Sequence, residues 1–90
     1  MDKYERQEYA VKRKIERERT IDALMAQAPK RKAKGSEFAE LIDAIATAHA
    51  LLHIYDNMEN PPALAGVCES IFDAATARLG ELIQVAAAAA

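Results

Sequence analysis

Between Ser36 and Glu59 the apolar residues recur in steps of three and four: Phe38, Leu41, Ile45, Ala48, Leu52 and Tyr55. At helical periodicity these positions stack into one seam, so the segment predicts an amphipathic helix. A second stripe, Ala44, Leu51, Ile54 and Met58, runs beside the first, and Asp43, Ala46, Ala50, His53 and Asn57 fill the opposite face. Ser36 is suited to cap the N-terminus. Glu37 and Glu40 place negative charge in the first turn, where the helix dipole favours it.

Asn60-Pro61-Pro62 must interrupt that helix, because each proline pushes its predecessor out of helical geometry. Pro62 suits a first helical position. Leu64, Cys68, Ile71, Phe72, Ala75, Leu79, Leu82 and Ile83 then trace a broad apolar face over 62–86, with Gly66, Ser70, Asp73, Ala77, Gly80 and Gln84 toward solvent. Each glycine inside a helix costs about 1 kcal/mol relative to alanine, and the pair is read as marking close approach by another helix. The run Ala86–Ala90 has high helix propensity but no packing pattern, which predicts fraying. A short loop between two helices of similar length predicts an antiparallel hairpin.

The N-terminal segment 2–27 is rich in Glu, Arg and Lys and free of Gly and Pro, which predicts a charged helix. Asp2 with Arg6, Glu8 with Lys12, Lys12 with Glu16 and Lys14 with Glu18 are spaced for ion pairing. Pro29 should end the helix at Ala28, leaving Lys30-Arg31-Lys32-Ala33-Lys34-Gly35 as a solvated linker. Its apolar residues are scattered (Tyr4, Val11, Ile15, Ile21, Leu24, Met25), with the best cluster at the C-terminal end. This predicts docking by the last two turns while the first half projects. The expected fold is all-α, an antiparallel hairpin (36–59 and 62–86) preceded by the charged helix 2–27. Two adjacent apolar stripes on 36–59 exceed what one hairpin partner can cover, so assembly as a dimeric helical bundle is expected.

Composition narrows the class further. Ninety residues make one small domain, and a 51% hydrophobic chain with only 6% aromatics and no Trp suits a helical core of Leu, Ile and Ala. The single Cys68 excludes an internal disulfide or a multi-Cys metal site within one chain, and its place on the apolar seam reads as a buried thiol. No run of 18 apolar residues is present, and the charged N-terminus lacks a signal-peptide core. A soluble cytoplasmic protein is expected.

Charge divides the chain at Gly35. Residues 1–35 hold eleven of the twelve Lys and Arg against six acids, whereas 36–90 hold Arg78 alone against eight acids. A basic helix and linker (1–35) thus precede an acidic, apolar hairpin (36–90). Such a molecule can self-associate head to tail or show two electrostatically different surfaces to partners.

Two groups of residues are candidates for binding. Arg6, Tyr9, Arg13 and Arg17 share a helical stripe which, with Lys30, Arg31 and Lys32, could contact phosphates. Glu5, Glu8, Glu16 and Glu18 would repel the same phosphates, and no recognition-helix or zinc pattern accompanies them. Lys30-Arg31-Lys32 also resembles a nuclear import signal. On the hairpin, Leu51, Ile54, Tyr55 and Met58 lie beside the main seam and could dock a partner helix.

Candidate chemistry is sparse. His49 and His53 are spaced as metal ligands with Asp56 one turn on, but further ligands would have to come from another helix, so no metal and no cofactor is expected. No Gly-rich phosphate loop, nucleophile triad or paired-carboxylate motif is present, and no catalytic residue is assigned. The sequence therefore points to a small non-enzymatic helical protein that self-associates and binds another protein in a regulatory, inhibitory or chaperone role. The alternative is a nucleic-acid-binding regulator that uses the basic arm, with the hairpin as its dimerisation unit.

Overall fold

A computed structural model describes residues 2–28 and 36–89 and shows three helices: α1 (Lys3–Gln27), α2 (Glu37–Asp56) and α3 (Leu64–Ala89). Local chemistry sets most of their ends. The Asp2 carboxylate accepts the Glu5 N–H at 2.8 Å and caps α1. Ala28, ahead of Pro29, turns extended with ψ at 149°, which stops α1 where the proline requires. Ser36 Oγ accepts the Ala39 N–H at 3.3 Å to open α2. The linker 30–35 lies outside the described residues, and with it Lys30, Arg31 and Lys32.

Three helix ends differ from the sequence reading. α2 stops at Asp56, three residues short of Glu59, because Asn57 caps it. The Asn57 side-chain amide donates to the His53 carbonyl at 2.8 Å, while the Asn57 and Met58 N–H groups tighten onto Ile54 and Tyr55. α3 begins at Leu64 rather than Pro62, since the carbonyls of Pro62 and Ala63 first accept Ala65 and Gly66 in tight i+3 turns. At its other end α3 continues helical through Ala89, three residues beyond the expected end at 86.

α2 and α3 pair antiparallel and carry the largest interface of the molecule. Ile45, Ala48 and Leu52 of α2 are buried against Cys68, Phe72, Ala75, Leu79 and Ile83 of α3. Along α3 these buried positions step by four, three, four and four, a narrower seam than the broad face read from the sequence. Ile71, expected in the core, falls outside it and is 44% exposed. Cys68 is buried as expected.

α1 docks through its last turns as expected, but its first half does not project. It lies along the hairpin on a seam of Ala10, Arg13, Arg17, Ile21, Leu24 and Ala28, spaced three and four apart. Ala10 is fully buried, and Ile21, Leu24 and Ala28 pack on the hairpin core. Gly80 of α3 lies beneath Leu24: a β-carbon there would stand 3.8 Å from Leu24 Cδ2. One of the two glycines thus marks a helix approach as read, whereas Gly66 faces open space. An apolar cavity of 270 Å³ remains between α1 and the hairpin, walled by Ile21, Leu24, Met25, Ile42, Ile45, Ala46 and Leu79. The outcome is an elongated three-helix body measuring 50 × 21 × 17 Å.

Candidate functional site

The polar seam under α1 is built from residues read as solvent-facing. Arg17 is 3% exposed. Its Nε donates to His49 Nδ1 and its Nη1 to Asp56 Oδ2, both at 3.1 Å. Its Nη2 is buried without a hydrogen-bond partner among the described residues. His49 and Asp56 stand seven residues apart on α2, two turns along one stripe, so a single guanidinium reaches both. One turn earlier Arg13 donates to Glu69 of α3 at 2.9 Å and to Glu16 at 3.1 Å. α1 is therefore tied to α2 through Arg17 and to α3 through Arg13.

The protonation state of His49 follows from these contacts. Its Nδ1 accepts from Arg17, so the imidazole is neutral with its proton on Nε2, which stands 3.6 Å from Glu18 Oε1. Burial, then the Arg17 charge, holds its pKa below the ordinary histidine value, with Glu18 opposing. Glu69 and its hydrogen bond push the Arg13 guanidinium further toward its charged form. Two ion pairs, Arg13–Glu69 and Arg17–Asp56, thus join the basic arm to the acidic body within one chain. Among the expected surface pairs on α1, Lys14 stands 3.8 Å from Glu18.

This arrangement redistributes the basic-arm residues. Arg13 and Arg17 are engaged against the hairpin and do not form a solvent-facing stripe with Arg6 and Tyr9. Those two instead line a cleft at the hairpin tip with Tyr55, Asp56, Met58 and Glu59. His49 is used by Arg17 rather than left open beside His53, and among the described residues no three His, Cys, Asp or Glu side chains gather as a metal would require.

The second region is the hairpin face that α1 leaves uncovered. α1 occupies the side carrying Ile42, Ala46, His49 and Asp56. On the other side Asp43, Ala44, Thr47, Ala48 and Leu51 of α2 and Cys68 and Ile71 of α3 line a groove of 300 Å³. Its margins continue the apolar surface with Ile54 at 57% exposure and Val67 at 51%. At one end Arg78 of α3 reaches across to Glu37 of α2 at 2.7 Å and pairs with Glu81 at 3.1 Å. That contact holds the Glu37 carboxyl below its usual range.

The four residues expected to bind a partner therefore divide between two places. Leu51 lines the open groove and Ile54 is exposed three residues further along α2, whereas Tyr55 and Met58 line the tip cleft beside Arg6 and Tyr9. Ile71 and Val67, which belong with Leu51, were missed because the sequence placed Ile71 in the core and assigned Val67 no role. The signal was available in the i, i+4 spacing of Val67 and Ile71, one step off the Cys68–Phe72 seam. The chain matches no protein-family model, no curated protein and no solved structure at a significant level. No helix among the described residues is long and apolar enough to cross a membrane.

Proposed function

We propose that this protein is a non-enzymatic helical module that self-associates and binds a partner protein, in a regulatory, inhibitory or chaperone role. One observation carries the reading. A chain that buries an arginine to close one side of its hairpin leaves Leu51, Ile54, Val67 and Ile71 exposed or half-exposed on the other. A contiguous apolar groove between two helices, rimmed by charge, is the surface onto which amphipathic helices dock.

The nucleic-acid reading gains no comparable support, since Arg13 and Arg17 are occupied by Glu69, Asp56 and His49. Self-association is tested by sedimentation equilibrium across a wide concentration range, with a concentration-dependent dimer as the expected outcome. A wild-type chain that stays monomeric at every concentration overturns the self-association part of the reading.

A further inference from the structure

We infer that the open α2–α3 face seats an amphipathic helix of a partner protein that carries cationic side chains beside its apolar stripe. The inference rests on the binding role proposed above and adds the chemistry of the partner. It is argued from the shape and the charge of the face together.

The groove floor is made of small residues, Ala44, Thr47 and Ala48, with Leu51 and Ile71 as walls. Small side chains let a guest helix approach closely, and flanking branched residues interdigitate with its apolar stripe. Val67 and Ile54 extend the walls by another turn toward the hairpin tip. A guest helix here would face α1 across the hairpin, so the α2–α3 pair would be covered on both sides.

Charge selects the guest. Asp43 lines the groove, and Glu40 stands one turn before Ala44 on the same stripe. Glu37 and Glu81 complete that end, where among the described residues Arg78 is the one base and is already shared between them. Among the described residues, four carboxylates against one engaged guanidinium leave a net negative margin beside an apolar floor. Cationic flanks on the guest are attracted to this margin, and acidic flanks are repelled. Among the described residues a second copy of this chain is a weaker match, since its own open face brings the same acidic margin and its outward α1 surface alternates Glu8, Lys12, Glu16 and Arg19.

The test uses the full chain and two designed peptides of about 18 residues, about five helical turns. Both carry the same Leu and Ile stripe, and one has Lys and Arg flanks where its twin has Glu. Binding is read by fluorescence anisotropy at low and high salt. The basic peptide should bind at least about tenfold tighter than its twin, and the gap should narrow as salt rises. Glu40→Lys combined with Asp43→Lys, both at exposed positions, should erase or invert the preference. Ile71→Asp should abolish binding even though it adds another acid, which distinguishes seating in the groove from general attraction. Equal binding of the two peptides overturns the cationic assignment while the open-face reading stands. Binding of the basic peptide that ignores Ile71→Asp overturns both. If neither peptide binds but the wild-type dimer is dissolved by Ile71→Asp, the face belongs to a second copy and the inference falls.

Discussion

Arg17 Nη1 lies 3.1 Å from Asp56 Oδ2, and the arginine that makes this pair is almost wholly shielded from water. A charge taken out of water is tolerated only while its partner stays in place, so the pair acts more as a lock on α1 than as net stabilisation. Asp56→Ala should therefore be severe, costing about 3–5 kcal/mol, because it leaves the guanidinium buried and uncompensated. Arg17→Met should cost less, because the Asp56 carboxylate it leaves behind is 13% exposed and can be reached by water, whereas the guanidinium is 3% exposed. Urea unfolding of both variants checks the order, and a larger loss for Arg17→Met would mean the ion pair is itself a main source of stability.

The pair also marks where reading from sequence alone reaches its limit. Asp2, Ser36, Ala28 before Pro29, and the Pro61-Pro62 break were legible because capping and proline geometry act within a few residues. Docking of the last turns of α1 through Ile21 and Leu24 was legible, but that of its first half was not, since periodicity arguments treat arginine as solvent-facing and half of the α1 seam is Ala10, Arg13 and Arg17. Charge complementarity held the missing signal: His49 and Asp56 repeat at seven residues on the α2 stripe that faces α1. The open face was half legible. Leu51 and Ile54 were read as partner-facing, but Ile71 was not, because a broad apolar stripe does not show its own centre.

His49 gives the protein a predicted pH dependence. Its folded-state pKa lies below the unfolded value, so the unfolded chain binds the proton more readily. The stability this contributes is complete above the ordinary histidine value of about 6.5 and is lost as pH falls below it toward the depressed folded value. Protonation would also remove the Nδ1 lone pair that accepts from Arg17, and Lys14 and Arg17 both oppose the added charge while Glu18 favours it. The melting temperature should drop between about pH 7 and pH 5. In His49→Asn, whose amide oxygen can accept from Arg17 without titrating, that drop should shrink. An unchanged pH profile in the variant would assign the dependence to other groups.

Two glycines offer stabilising substitutions. A β-carbon at Gly66 meets nothing within 4 Å, and at Gly80 it meets Leu24 Cδ2 at 3.8 Å, an ordinary contact distance. Both positions are helical. Gly66→Ala and Gly80→Ala should each raise stability by about 0.5–1 kcal/mol through helix propensity. Thermal melts decide, and a loss at Gly80 would show that Leu24 cannot move aside.

Core and boundary should separate cleanly under truncation of side chains. Leu52 and Leu79 are the largest fully buried residues, so changing either to alanine should cost about 2–5 kcal/mol. Ile71→Ala should cost far less in the free protein, because the side chain is already largely in water. Denaturant midpoints measured at equal protein concentration test this. A core-sized loss at Ile71 in the monomer would return it to the seam that the sequence first suggested.

The strongest consequence concerns the N-terminal helix as a whole. The matching apolar seams of 36–90 favour a hairpin that folds alone, provided that Ile21, Leu24 and Met25 are not a large part of the core. Ile21, Leu24 and Ala28 pack on the core, Ala10 is buried, and Arg13 and Arg17 satisfy Glu69 and Asp56. Removing residues 1–35 would expose the inner sides of Ile42 and Ile45 and strip Asp56 of its counter-charge in one step. Two helices of this length have little independent stability without a third to cover them. Circular dichroism of the fragment 36–90 should therefore show reduced helicity and a broad, weakly cooperative melt. Adding a peptide of residues 2–28 should restore helicity, and the Arg17→Glu version of that peptide should fail to do so. A fragment that melts cooperatively on its own would make α1 a peripheral strap, and the buried arginine would then be a contact the fold can do without.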